Sequence, residues 1–242
     1  MIPLFKSHYS IGRSILRPNE IFEIAKESNL DKVFLVEDSL VGFLEADKES
    51  KEKDIDLAFG LRINACNKVS NDKKENESCF HKIIIFAKDG EGCKLINKIY
   101  SKAFCDNDGA IEFNNLKKFW NKDHLILAVP FYDSFIFKNT LHFCSCIPDF
   151  SFCTPVFFLE NNYLPFDEIV REKVLDYCKE NNYNTEETKS IFYKDREDFE
   201  AFQTYKCITN RRFKQRTLSV PNFDHLSSSE FSFESFLEHE VS

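Results

Sequence analysis

The sequence predicts an α/β fold, either a parallel β/α barrel or an open doubly wound sheet. Three observations carry this. Apolar runs of strand length recur along the chain, and segments with helical spacing separate most of them. Runs such as "KIIIFA" (82–87) are apolar throughout rather than alternating, which is the pattern of strands buried on both faces. With 43% hydrophobic residues in 242, there is enough apolar material for a substantial core.

The elements follow in order. "IPLF" (2–5) is a short first strand. "RPNEIFEIAKESNL" (17–30) is a helix that starts at Pro18 or Asn19, with Ile21, Phe22, Ile24 and Ala25 as its apolar face. "KVFLVED" (32–38) is a buried strand ending in acid, and "LVGFLEADKESKEKD" (40–54) a helix with a heavily charged far end. "IDLAFGLRINAC" (55–66) is the third strand, and the polar, aperiodic "NKVSNDKKENES" (67–78) reads as an exposed loop. "CFHKIIIFAKD" (79–89) is a strand, "GEGCKLINKIYSKAF" (90–104) a helix and "FNNLKKFW" (113–120) a short helix. "DHLILAVPF" (123–131) and "TPVFFLEN" (154–161) are strands on either side of the helix "YDSFIFKNTLHF" (132–143). "PFDEIVREKVLDYCKEN" (165–181) is a long helix with Pro165 near its start, "ETKSIFY" (187–193) a last strand and "DREDFEAFQTYKCI" (195–208) a last helix. The remaining tail is Ser- and acid-rich with interspersed Phe, and reads as an appendage.

Composition excludes several classes of function. A net charge of −8 argues against a broad grip on nucleic-acid phosphates, so nucleic-acid binding is weak or absent. "NRRFKQR" (210–216) is the best local basic patch, or else a solvated surface. The nine Cys are odd in number and irregularly spaced, and Met1-Ile2-Pro3-Leu4 is too short for a signal-peptide core, so free thiols in a reducing cytoplasm are expected. No run approaches the roughly 18 apolar residues of a membrane span. "CSCIPDFSFC" (144–153) gathers Cys144, Cys146 and Cys153; with His142 they are a weak zinc set, against buried thiols as the plain reading. "KDGEGCK" (88–94) lacks the spacing of a phosphate-binding loop. The abundance of Phe, Lys and Asn fits an AT-rich genome such as that of many phages.

Several segments in order resemble the polymerase and histidinol phosphatase (PHP) domain, most closely the one at the N-terminus of the bacterial DNA polymerase III alpha subunit. They are "PLFKSHYSIGRS", "AKESNLDKVFLVEDS", "AFGLRIN", "FFLENNYLPFDEIVREKVLDYCKENNY", "ETKSIFYKDREDFEAFQTYKCI" and, best of all, "HKIIIFAKDGEGCKLINKIYS" (81–101). The resemblance implies a distorted seven-stranded β/α barrel over 1–215, with 216–242 as a tail or linker stub. It also implies a cluster of divalent metals at the carboxyl ends of the strands, used to hydrolyse phosphoesters.

Residue by residue the ligands do not carry over. The two His of the first motif fall on Leu4 and Lys6, and the His of the second falls on Ser39, with Asp38 kept. The family Glu falls on Arg62, a fifth-strand ligand near Phe131, another near Tyr163 or Leu164, and the last Asp-x-His pair on Ser190 and Phe192. His81 alone matches a ligand, and His8 is only a neighbour of the first motif. Asp38 and His81 are thus the weak metal candidates. Asp38 alternatively caps a helix or pairs with Lys6 or Arg62, while Lys6, Arg62 and His8 form a possible anion site.

The expectation is therefore a non-catalytic PHP-type protein without a cofactor. It acts as a structural or contact module in DNA replication, its partner being a polymerase or clamp-associated subunit. The tail residues Phe223, Phe231, Phe233 and Phe236 either dock in that partner or pack back onto the barrel. The alternative is a phosphoesterase or 3′–5′ exonuclease rebuilt around Asp38, His81, His8 and Glu160 with a divalent metal such as Mn, Zn or Mg; a third reading is an anion- or nucleotide-binding pocket.

Overall fold

The computed structural model describes residues 1–69, 80–142, 144–209, 226 and 228–241. The basic run 210–216, Phe223 and most of the polar loop 67–78 lie outside them. In chain order the described elements begin β1 (Ile2–Phe5), α1 (Pro18–Glu27), β2 (Lys32–Glu37), α2 (Phe43–Lys53), β3 (Asp56–Cys66) and β4 (His81–Ala87). Next come α3 (Gly90–Asn107), β5 (Ala110–Glu112), α4 (Phe113–Phe119), β6 (Leu125–Val129) and α5 (Phe135–Leu141). The rest are β7 (Val156–Leu159), α6 (Asp167–Asn181), β8 (Asn184–Ile191), α7 (Phe199–Thr209) and α8 (Phe233–Val241).

The hydrogen-bonded strand order is β2-β1-β8-β7-β6-β4-β3-β5, and β2 also pairs with β3. Seven strands thus form a cyclic order, with β5 added on β3: the topology of a distorted β/α barrel. No helix among the described residues is long and apolar enough to cross a membrane. The chain divides into two compact units, the first holding 1–59, 160–167 and 188–242, the second 60–159 and 168–187. Strands β3 and β8 each begin in one unit and end in the other.

In the first unit, β1 lies between β2 and β8, parallel to both, with Leu4 opposite Phe34 and Ser190. Helix α1 starts at Pro18, whose fixed φ suits a first turn, and the Arg17 N–H donates to Glu20 Oε2 at 2.8 Å. Its Ile21, Phe22, Ile24 and Ala25 pack into one core with Phe5, Leu35, Phe59 and Ile191. Phe233 and Phe236 belong to that same core, Phe233 stacking on Phe5 at 5.8 Å. Phe231 is fully buried against Phe192, with ring centres 5.0 Å apart. Of the two readings of the tail phenylalanines, the three described ones therefore take the packed one, and residues 228–241 are not an appendage. Arg196 adds ion pairs to Glu230, Glu234 and Glu238, and the Met1 amine pairs with Glu240 at 3.3 Å.

In the second unit the parallel expectation fails at one strand. β4 runs antiparallel to both β3 and β6, with Ala65 opposite His81 and Ile84 opposite Ala128. A continuous apolar run records burial on both faces and says nothing of direction. The reversal puts the start of β4, and so His81, beside the carboxyl end of β3. Strand β5 has three residues, too few to show a period, and was not expected. Helix α3 is capped by Asp89, which accepts from the Gly92 N–H at 2.8 Å. Phe135, Phe150, Phe157, Tyr177 and Tyr183 form an aromatic core.

Because Phe236 is 1% exposed, Phe236→Ala should cost about 3–5 kcal/mol in urea unfolding. A change near zero would mean that the helix carrying it does not belong to the core.

Candidate functional site

Most residues matched to the family's metal positions sit at or near strand ends, whereas Arg62 lies inside β3. In the first unit, β2 ends on Glu37, which has no exposed surface. The Ser7 N–H donates to its Oε1 at 2.8 Å, the Ser10 hydroxyl donates to Oε2, and the Lys6 charge is close enough to act on it. Burial nonetheless raises its pKa above the ordinary glutamate value. The Ser10 oxygen accepts the Asp38 N–H at 2.9 Å, and the Ser10 and Arg13 N–H groups donate to Ser7 and Ser10 carbonyls. Gly12, at φ +74°, makes the turn, and a Cβ there would meet the Thr209 hydroxyl at 2.5 Å.

This loop fixes Lys6, which is 5% exposed; its ammonium donates to Asp38 Oδ1 at 3.2 Å, and its N–H to the Ile191 carbonyl at 3.2 Å. Leu4 is buried and offers no lone pair. The Ser39 hydroxyl accepts the Val41 N–H at 3.4 Å. His8 packs its ring 4.3 Å from Tyr9, and its Nδ1 has no hydrogen-bond partner among the described residues. Tyr163 is exposed, with a positive φ of 54°.

At the end of β7, Glu160 is buried; its Oε1 accepts the Ser190 hydroxyl at 2.8 Å and its Oε2 the Ser190 N–H at 3.1 Å and the Asn162 amide at 3.2 Å. Burial again raises its pKa, against those donors and the charge of Lys189. The Lys189 ammonium, buried and pushed down in pKa, donates to the Asn161 carbonyl at 3.2 Å. Phe192 stacks between Phe202 and Phe231.

In the second unit, Arg62 Nη2 donates to Asp133 Oδ2 at 2.5 Å. Asp133 sits in the turn before α5 at φ +62°, and its carbonyl accepts the Lys82 N–H at 2.8 Å. Phe131 is fully buried, edge-on to Tyr132. His81 Nδ1 lies 3.5 Å from Cys146 Sγ, whereas Cys144 Sγ faces the His142 carbonyl at 3.9 Å. Cys146 and Cys144 thus turn to different partners, and among the described residues the weak zinc alternative finds no group of three ligands; the two thiols are part-exposed rather than buried.

A divalent metal fits these residues poorly. The first-strand positions supply an alkyl chain and an ammonium, and Glu37 and Glu160 are already occupied by hydroxyl and amide donors. No group of three or more His, Cys, Asp or Glu among the described residues is placed to hold a metal ion. Lys6 and Arg62, read together with His8 as an anion site, each face a carboxylate of their own unit.

Sequence reasoning missed Glu37, Ser10, Asp133 and the Cys146–His81 contact. Glu37 was legible only as an acid ending a buried strand, next to the Asp38 that the family motif picks out. Asp133 gave no signal, because its pairing with Arg62 spans 71 residues.

No protein-family model matches the sequence, and no curated protein matches it. Three solved structures are similar to it in fold. One is a candidate metal-dependent phosphoesterase from Bifidobacterium adolescentis, at 12% identity and a TM-score of 0.48, covering 78% of this chain and 87% of that one. Another is an amidohydrolase from Chromobacterium violaceum with bound sulfate and no metal, at 10% identity and a TM-score of 0.44, covering 79% and 87%. The third is a two-domain protein from Bacteroides vulgatus containing a predicted PHP-like metal-dependent phosphoesterase, at 12% identity and a TM-score of 0.42, covering 76% and 49%.

The raised pKa of Glu160 means that the folded chain holds this proton more tightly than the unfolded chain. Its contribution is fully present below the ordinary value of 4.5 and falls as pH rises through and above it. Glu160→Gln keeps an acceptor for the Ser190 N–H, and the Ser190 hydroxyl can turn to accept. Urea unfolding from pH 4.5 to 7 should therefore show the variant gaining on the wild type by up to about 1.4 kcal/mol per pH unit. A difference that stays flat, or moves the other way, contradicts this.

Proposed function

We propose that this chain is a β/α-barrel protein that does not hydrolyse phosphoesters with a metal cluster and acts by contact. The observation that supports this is the Lys6–Asp38 pair. A buried ammonium stands where the resemblance places a ligand of the first motif, and it holds Asp38, the carboxylate of the second motif that the sequence keeps. A metal would have to displace the ammonium from its carboxylate and then tolerate its charge. The partner class, a protein of the DNA-replication machinery, rests on the resemblance of "HKIIIFAKDGEGCKLINKIYS" to the replicative polymerase's PHP domain.

Phe231, Phe233 and Phe236 are packed, so the contact surface is sought elsewhere on the first unit. Ile11, in the loop after β1, and Val41 and Leu44, at the start of α2, are each more than two-thirds exposed.

Purified protein grown with Mn, Zn and Fe should carry substoichiometric metal, and should not cleave p-nitrophenyl phosphate or the 3′ ends of single-stranded DNA. Stoichiometric metal together with turnover would overturn the non-catalytic reading in favour of a rebuilt phosphoesterase. For the contact role, Val41→Glu with Leu44→Glu should leave the melting curve within a degree or two and abolish binding to the replicative polymerase or clamp-associated subunit. Binding that survives both changes removes this surface.

A further inference from the structure

The second unit also brings a thiol against an imidazole, one residue from the Lys82 whose N–H donates to the Asp133 carbonyl. His81 opens β4 and is 1% exposed. Its ring stacks on Phe113 at 5.6 Å with 18° between the planes, and meets the edge of Phe135 at 5.9 Å. The imidazole is therefore held in one orientation, with Nδ1 3.5 Å from the Cys146 sulfur, a distance suited to an S–H···N hydrogen bond. The thiol side is fixed as well, because the Asn139 amide donates to the Cys146 carbonyl at 2.8 Å. Lys138 brings a positive charge to the carbonyl of Phe80, the residue before His81. Cys146 is itself partly exposed, so a small reagent can reach it.

Other thiols of this unit are built the opposite way. Burial pushes Cys153 up to about 12 and Cys178 up to about 11, values at which a thiol is inert at neutral pH. A thiol paired with an imidazole is in a setting that favours the thiolate. The Phe113 face against the imidazole offsets part of the cost of charging His81 in a buried place.

We infer that Cys146 and His81 form a reactive-thiol site whose substrates are small soft electrophiles, hydroperoxides among them. His81 Nδ1 takes the thiol proton as the Cys146 sulfur attacks one peroxide oxygen. The S–O bond forms and the O–O bond breaks. The departing alkoxide, or hydroxide when the substrate is hydrogen peroxide, takes the proton back from the imidazolium and leaves as an alcohol or water. Sulfur is oxidised by two electrons to the sulfenic acid, and the peroxide is reduced by two. The pair is independent of any metal and of the contact role proposed above.

The test uses the full chain. Iodoacetamide is applied across pH 5–9, with the rate at each cysteine read by peptide mass spectrometry. Cys146 should alkylate about tenfold faster than the exposed Cys105 near pH 7, with its rate profile displaced about one pH unit lower. His81→Gln should bring Cys146 down to the rate of Cys105 and leave Cys105 unchanged. Equal rates in the wild type, or a Cys146 rate indifferent to His81→Gln in a folded variant, overturn the proposal. If His81→Gln does not fold, hydrogen peroxide with dimedone trapping on the wild type decides. Sulfenic acid trapped at Cys146 ahead of Cys105 supports the site, and equal trapping at both overturns it.

Discussion

A carboxylate with no exposed surface stands at the end of β2, and accommodating its charge shapes the loop after β1. An uncompensated buried carboxylate costs several kcal/mol. Glu37 is compensated by the Ser7 N–H, the Ser10 hydroxyl and the charge of Lys6. Ser10 can reach it only because the chain turns back on itself between Ser7 and Arg13. The same turn fixes the direction of Lys6, whose ammonium then falls on Asp38. One buried cation thus serves two adjacent carboxylates, and the position where the family would place a metal ligand has become part of a charge balance.

The end of the chain is governed by apolar packing, with charge in a secondary role. Phe233 and Phe236 lie among residues of β1, α1 and β8, Phe231 is buried against Phe192, and each buried aromatic outweighs any surface ion pair. The pairs from Arg196 to Glu230, Glu234 and Glu238 add at most about 0–1 kcal/mol each, and serve better as a guide to where α8 sits than as the reason it stays. Phenylalanines spaced among serines and acids look like bait for a partner when read in one dimension. In the fold Phe231, Phe233 and Phe236 are part of the chain's own core.

The strands and helices were largely legible in the sequence, because burial and periodicity are local properties. The start of α1 at Pro18 and its apolar face were readable directly. The direction of β4 was not, since the run "KIIIFA" is equally apolar whichever way it points. At the strand ends, the residue types at positions 4, 6, 38, 39 and 62 were readable, and with them the poverty of metal donors. Their partners were less so. Lys6 with Asp38 was one of several arrangements left open, and Asp133 as the partner of Arg62 could not be reached, because pairing across a long stretch of chain leaves no local trace. His81 against Cys146 was missed for the same reason: the two lie 65 residues apart and meet only through the reversal of β4.

The contact between the Met1 amine and Glu240 Oε1, 3.3 Å apart, has a consequence for engineering. The first strand and the last described helix of the first unit bring Met1 and Glu240 to the same place. A circularly permuted gene that joins them through a linker of a few residues would leave the β1–β2 and β1–β8 ladders uncut. A protein fused before Met1 or beyond Val241 would leave from the same region of this unit.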